Sequence, residues 1–263
     1  MACPGPRCIG AARTGVDSLR QPMPECSGRA PDPAYRERFI VYMKDTSIFK
    51  PLRPLFLASA SPRRIAFLQV IGLDCSVLPP PDAAEPSPLP GEDPVAYVLR
   101  AAQAKACAIL SDIPVSDPLP VTIAADTIVV LDGQILGKPG APDRAYAMLR
   151  SLAGKTHTVI TGCVIAGPNP AGSPHDLHSK SSVLHAFSVQ SQVSMWDAPP
   201  ELLHAYANSA EPLDKAGAYA AQGAGVALVR SINGSWSNVV GFPLAELVEA
   251  LLRMHIIVPG GAN

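Results

Sequence analysis

The sequence is short of charge and of long apolar runs, and each shortage narrows what the chain can be. Charged residues make up 16% of its 263 positions, below the ~25% usual for soluble domains. With 21 Lys and Arg against 22 Asp and Glu the formal net charge is −1. That balance argues against a protein that holds nucleic acid mainly through a basic surface, by phosphate neutralisation, although a small positive pocket is compatible with it. No apolar run approaches the ~18 residues that cross a bilayer, and the N-terminus lacks the charged-then-apolar pattern of a secretory signal. The expectation is a soluble, cytoplasmic protein with neither nucleic acid nor membrane as partner. The 6 cysteines form no CxxC pair, and none has a histidine at zinc-ligand spacing. Cys75, Cys107 and Cys163 each lie in an apolar stretch and read as reduced core thiols. A P-loop is absent, and the isolated Gly223-x-Gly225 is too little to suggest a dinucleotide fold.

What is present is a hydrophobic fraction of 48%, enough for a substantial core. Residues 1–50 differ from the rest, with repeated prolines, half of the cysteines, many arginines and no helical or strand period. They read as a disordered extension, or as sequence upstream of a translation start at Met43. From Leu55 onward, short apolar runs alternate with amphipathic stretches, so the domain at 51–257 is expected to be α/β, followed by a short tail at 258–263. Leu55 to Ser59 reads as a strand, and Ser61-Pro62 as a cap opening a helix to about Ile71. Asp93-Pro94 opens a second helix to about Leu110. Val121 to Leu131 reads as a strand interrupted by Asp126-Thr127. A helix over Asp143–Leu152, a strand over Thr156–Ala166, a loop over Pro168–Ser182 and a strand over Val183–Met195 follow. Helices over Pro199–Ala207 and Pro243–Met254 complete the pattern.

Four segments break the rules of core building, and such conflicts tend to mark function. In Ser59-Ala60-Ser61-Pro62-Arg63-Arg64 two arginines occupy the first turn of a helix, where the dipole disfavours cations. They are either solvated or serve, with the serines and the free N–H groups, to hold an anion. Asp126 lies inside a strongly apolar strand, a costly place for a carboxylate unless it is paired, ligates a metal or caps amides at a bulge. Lys138 sits in the turn Leu136-Gly137-Lys138-Pro139, and Lys105 falls on the apolar side of its helix with Val98, Ala102 and Ile109. There Lys105 either snorkels outward or points into a cleft. Finally, Glu211 to Gly225 mixes charged and small residues without a period, as a loop does when its backbone must approach a ligand.

Taken together, these segments resemble the Maf family of nucleotide pyrophosphatases. Leu57-Ala58-Ser59-Ala60-Ser61-Pro62-Arg63-Arg64 is similar to its opening signature, Ala125-Asp126-Thr127 to its acidic motif, and Gly137-Lys138-Pro139 to its turn. Asp214-Lys215-Ala216-Gly217-Ala218-Tyr219 through Gln222-Gly223, Ile232-Asn233-Gly234-Ser235 and Asn238 to Pro243 resemble its C-terminal block. The likeness is colinear from about Leu55 to Leu252.

The resemblance implies a Maf-type α/β fold with an elongated mixed sheet, helices on its faces and a two-lobed cleft. It implies hydrolysis of a nucleoside triphosphate between its α and β phosphates, a divalent cation (Mg²⁺ or Mn²⁺), and a homodimer. Asp126 takes the place of the proton acceptor, and Arg63, Thr127 and Gln222 the specificity positions of the branch acting on dTTP and UTP. Ser59, Arg64, Lys105, Lys138 and Lys215 are the expected phosphate contacts, with Asp126 and Glu85 as metal ligands. A 7-methyl-GTP pyrophosphatase and a nucleotide-binding regulator of cell division without turnover remain alternatives. The chain departs from the pattern where Pro81-Asp82-Ala83-Ala84-Glu85 keeps only part of an acidic pair, and where Ala220-Ala221 replaces Gly-Ile.

Overall fold

The computed structural model describes residues 47–110, 112–114, 116–168 and 181–260. Most of the expected extension at 1–50 and of the loop at 168–182 lies outside them. Phe49–Pro51 (β1) pairs antiparallel with Ile257–Pro259 (β9) in a two-stranded ribbon. Both expected domain boundaries, at 50 and at 258, therefore fall within paired strands. Each is three residues long and gains its hydrogen bonds from the opposite end of the domain, so no local period signals it.

Among the described residues, seven strands form the main sheet: Leu55–Ala58 (β2), Ser76–Val77 (β3), Val121–Leu131 (β4), Gln134–Leu136 (β5), Thr156–Pro168 (β6), Ser181–Met195 (β7) and Val229–Asn233 (β8). Their order is β3-β2-β4-β6-β7-β8, with β5 also on β4. β2 runs parallel to β3 and β4, and every other pairing is antiparallel. The expected mixed sheet is present. The helices are Pro62–Val70 (α1), Pro94–Leu110 (α2), Pro142–Leu152 (α3), Pro200–Ala207 (α4), Trp236–Val240 (α5) and Leu244–Arg253 (α6). Proline in the first turn of α1, α3 and α4 fixes φ where no N–H is needed. The Asp93 carboxylate caps α2 by accepting from the Ala96 N–H at 3.0 Å. No helix among the described residues is long and apolar enough to cross a membrane.

Alternation along β4 sorts its side chains between two layers. Ala124 and Ile128 pack with Tyr97, Val98, Ala102 and Ala106 of α2. Ile123 and Ala125 point the other way, against Leu68 of α1 and Leu247 and Leu251 of α6. The amphipathic helices thus bury their apolar stripes on both faces of one sheet.

The expected interruption at Asp126-Thr127 is not a break. β4 is continuous, with Asp126 opposite Gly162 and Thr127 opposite Thr161 of β6. What changes is the other edge. β2 leaves β4 after Ala124, and β5 joins it only at Val129. Between those points no strand among the described residues pairs that edge of β4, and the sheet opens beside Asp126 and Thr127. Crevices of this kind, beyond the carboxyl end of a parallel strand, are where α/β sheets take ligands.

Candidate active site

On the α2 side of the opening, Asp126 is buried at 6% exposure. Its Oδ1 accepts from Lys105 Nζ at 2.5 Å. The same ammonium lies 3.0 Å from Glu85 Oε2, and Glu85 in turn meets Lys138 Nζ at 3.3 Å. Burial pulls the Glu85 carboxyl up, but the ammonium groups of Lys105 and Lys138 outweigh it and hold it below the usual glutamate value. Lys105 does not snorkel; it points into the cleft. Glu85 is carried by the single-turn helix Asp82–Ala84, and Lys138 by the turn after β5. That turn is docked on the later loop, since Gly217 N–H donates to the Gly137 carbonyl at 3.2 Å. Gly217, at φ 67°, crosses β4 so closely that a Cβ would lie 2.9–3.0 Å from the Val129 side chain.

On the opposite face, Thr127 meets Arg64 of α1. Arg64 donates from Nε to the Gly241 carbonyl at 2.8 Å, from Nη1 to Ser59 Oγ at 3.3 Å and from Nη2 to Thr127 Oγ1 at 3.2 Å. Burial lowers its pKa, with the Asp126 charge opposing. Each guanidinium nitrogen is engaged inward, so this arginine ties β2, β4 and the α5–α6 connection together rather than offering its whole fork to an anion. The expected Ser61 cap is also absent; Ser59 Oγ instead accepts from the Ser61 N–H at 3.1 Å. Because that hydroxyl accepts twice, its own proton is left to donate. Gly241 is held by α5, whose Asn238 is fully buried and donates to Val159 O and Ser191 Oγ.

The third wall is the segment after α4. Lys215 Nζ bonds Asp214 Oδ1 and the Glu211 carbonyl. Arg63 is half-buried; desolvation lowers its pKa while Asp214 and Glu211 raise it. Gln222 is exposed at the rim.

One cavity of about 920 Å³ connects these walls, and every candidate from Ser59 to Gln222 named above lines it. Charged side chains line all three walls, and Val129, Val159, Val239, Tyr219, Ala220 and Ala221 add an apolar patch. The size suits a nucleotide-sized ligand. The Asp126 and Glu85 carboxylates both reach the Lys105 ammonium, so they lie near enough to each other to offer hard-oxygen donors to a divalent cation beside it. No cluster of three or more His, Cys, Asp or Glu is arranged for a metal among the described residues.

Sequence reasoning missed Tyr97 and Tyr206, and it marked the segment holding Glu211 and Tyr219 without giving either residue a role. Tyr97, Glu211 and Tyr219 line the cavity. Tyr206 instead contacts the segment that does, accepting from the Ala220 N–H. Tyr97 and Tyr206 are ordinary helix-core types by pattern, and only their placement marks them. Of the expected core thiols, Cys163 is buried, Cys75 half-buried and Cys107 exposed. Burial raises the Cys75 pKa to about 11 and the Cys163 pKa to about 12, which keeps both as thiols. Cys107 is the exception because it falls on the outer side of α2.

A family model described as Maf-like protein matches residues 54–254, spanning β2 to α6 and every candidate residue. The chain belongs to the Maf family. It is 49% identical over 212 residues to a protein of Nitratidesulfovibrio vulgaris named dTTP/UTP pyrophosphatase, covering 81% of this chain and 93% of that one. A protein of Oleidesulfovibrio alaskensis with the same name is 46% identical over 210 residues, covering 80% and 89%. One from Anaeromyxobacter dehalogenans, again so named, is 43% identical over 206 residues, covering 78% and 96%. The Maf assignment thus rests on nearly the whole length of these relatives, and it takes in both faces of the β4 opening.

Proposed function

We propose that this Maf-family chain is a nucleoside triphosphate pyrophosphatase that hydrolyses dTTP and UTP to the monophosphate and pyrophosphate. The observation that carries the proposal is the single cavity joining a half-engaged carboxylate, a set of cations and an apolar patch. The names of its relatives support the same choice of substrate.

Asp126 Oδ1 is taken by Lys105, and Oδ2 has no hydrogen-bond partner among the described residues. Oδ2 accepts the proton of a water that attacks the α-phosphorus. A bond forms from that oxygen to phosphorus, and the bond from phosphorus to the α–β bridging oxygen breaks. The leaving pyrophosphate takes the electron pair. Lys138, Lys215 and Arg63 line the same cavity and offset the charge that builds on it. The Ser59 hydroxyl supplies a further donor. A divalent cation held by Asp126 and Glu85 would neutralise phosphoryl oxygens. Lys105 keeps Asp126 aimed, and Arg64 keeps Thr127 and Ser59 in place. Thr127 and Gln222 can each donate and accept, as reading the edge of a pyrimidine requires.

A panel of nucleoside triphosphates with Mg²⁺, assayed for pyrophosphate, tests the proposal. Turnover should be greatest with dTTP and UTP. Selective hydrolysis of 7-methyl-GTP, or tight binding without release, would replace the proposal with the corresponding alternative.

A further inference from the structure

Gln222 stands at the rim of the cavity with no side-chain hydrogen bond to hold it among the described residues. Its placement therefore depends on the backbone to either side. Before it, the Ala220 N–H donates to Tyr206 Oη at 3.2 Å. After it, the Ala224 N–H donates to Glu211 Oε1 at 3.1 Å and the Gly225 N–H to Glu211 Oε2 at 2.9 Å. The two oxygens of one carboxylate thus hold two successive amides, and a phenol holds a third. Burial, with the Glu211 carboxylate nearby, keeps the Tyr206 phenol protonated.

The fit leaves no slack. Gly223 lies at φ 135°, and a Cβ there would come within 1.8 Å of Glu211 Oε1. A Cβ at Gly225 would come within 2.4 Å of Tyr206 Oη. Carboxylate and phenol thus occupy the space that side chains would need, and the loop closes directly onto them.

We infer that Glu211 and Tyr206 are positioning residues for base selection, fixing the loop that presents Gln222 without touching the reacting phosphates. The inference rests on the proposed role of Gln222. A carboxylate suits the task because both oxygens accept. An amide in its place accepts with one oxygen and sets a donor against the second N–H.

The test is a double-mutant cycle on base discrimination, read as the ratio of kcat/KM for dTTP to that for CTP. Glu211→Gln should lower the ratio roughly tenfold, in line with losing one charge-assisted hydrogen bond. Gln222→Ala should lower it similarly. Glu211→Gln in the Gln222→Ala background should lower it no further, because both act through one side chain. Tyr206→Phe, which removes the Ala220 tether, should give a smaller effect of the same kind. It carries the test if Glu211→Gln fails to fold by circular dichroism. Additive losses in the double variant would overturn the inference. So would an unchanged ratio in Tyr206→Phe together with Glu211→Gln. An unchanged ratio in Gln222→Ala alone would instead overturn the role of Gln222, and the inference with it.

Discussion

Gly162→Ala tests whether the helix that carries Lys105 is clamped where the structure has it. Gly162 faces Asp126 across β6 and β4. An added Cβ would lie 2.5 Å from Val98 Cγ2 and 2.8 Å from the Val98 carbonyl carbon and oxygen. Side-chain rotation relieves the first contact but not the second, which is backbone. Ordinary contact begins near 3.4 Å, so α2 must retreat by about 0.6 Å, a forced repacking of the kind that costs ~1–3 kcal/mol. The better strand propensity of alanine offsets ~0.5–1 kcal/mol of this. With ~2–4 °C of Tm per kcal/mol for a chain of this size, the fall should be about 5 °C. Lys105 lies two turns from Val98 on the same face of α2 and moves with it, opening its 2.5 Å contact with Asp126. Displacements approaching 1 Å at a catalytic group cost up to ~100-fold, so kcat for dTTP should fall at least tenfold. Tm by differential scanning fluorimetry and kcat measured well below Tm provide the check. Wild-type values of both would refute the packing argument.

Arg64→Lys should lower kcat about tenfold, since one ammonium cannot replace three directed bonds and leaves buried acceptors unpaired. Product inhibition by pyrophosphate should be little changed in that variant, whereas Lys138→Met should weaken it; the reverse pattern would make Arg64 the phosphate ligand. Glu85→Gln should raise the Mg²⁺ concentration needed for half-maximal rate about tenfold, measured by cation titration. His157 is buried and its pKa is lowered to about 4 by desolvation, while Tyr219 Oη lies 2.7 Å from Nε2. Its folded pKa lies below the unfolded value of ~6.5, so its contribution is complete above pH ~6.5 and is lost as pH falls towards 4. Across that window it amounts to about 3 kcal/mol at 1.36 kcal/mol per unit. Urea titrations at several pH values should show a shallower acid dependence for His157→Leu than for wild type, and an equal slope would contradict this account.

The long elements were legible because their hydrophobic period is local. β4 runs from Val121 to Leu131 and α2 from Pro94 to Leu110, as the pattern predicts. β1, β3, β5, β8 and α5 were not, since each is five residues or fewer, too short to show a period. Asp126 stood out as a carboxylate in an apolar strand, and that anomaly led to the site. Its meaning needed the fold. Asp126 and Thr127 face opposite sides of the sheet, yet both reach one cavity because β2 stops at Ala58 and β5 begins later. Lys105 was ambiguous on a helical wheel, and the bond to Asp126 decides it. Arg63 and Arg64 looked alike as neighbours in one motif. In three dimensions Arg64 is spent on Ser59, Thr127 and Gly241, and Arg63 faces the Glu211–Asp214 wall.

The central claim is that Asp126 drives hydrolysis at the α-phosphorus. It is tested most directly by comparing wild type with Asp126→Asn on dTTP and Mg²⁺, with products resolved by ion-exchange chromatography. The account predicts thymidine monophosphate and pyrophosphate from wild type, and a folded Asp126→Asn whose turnover is lower by at least ~100-fold, the lower end for a lost general base. Thymidine diphosphate with inorganic phosphate, or near-normal turnover by Asp126→Asn, would contradict it.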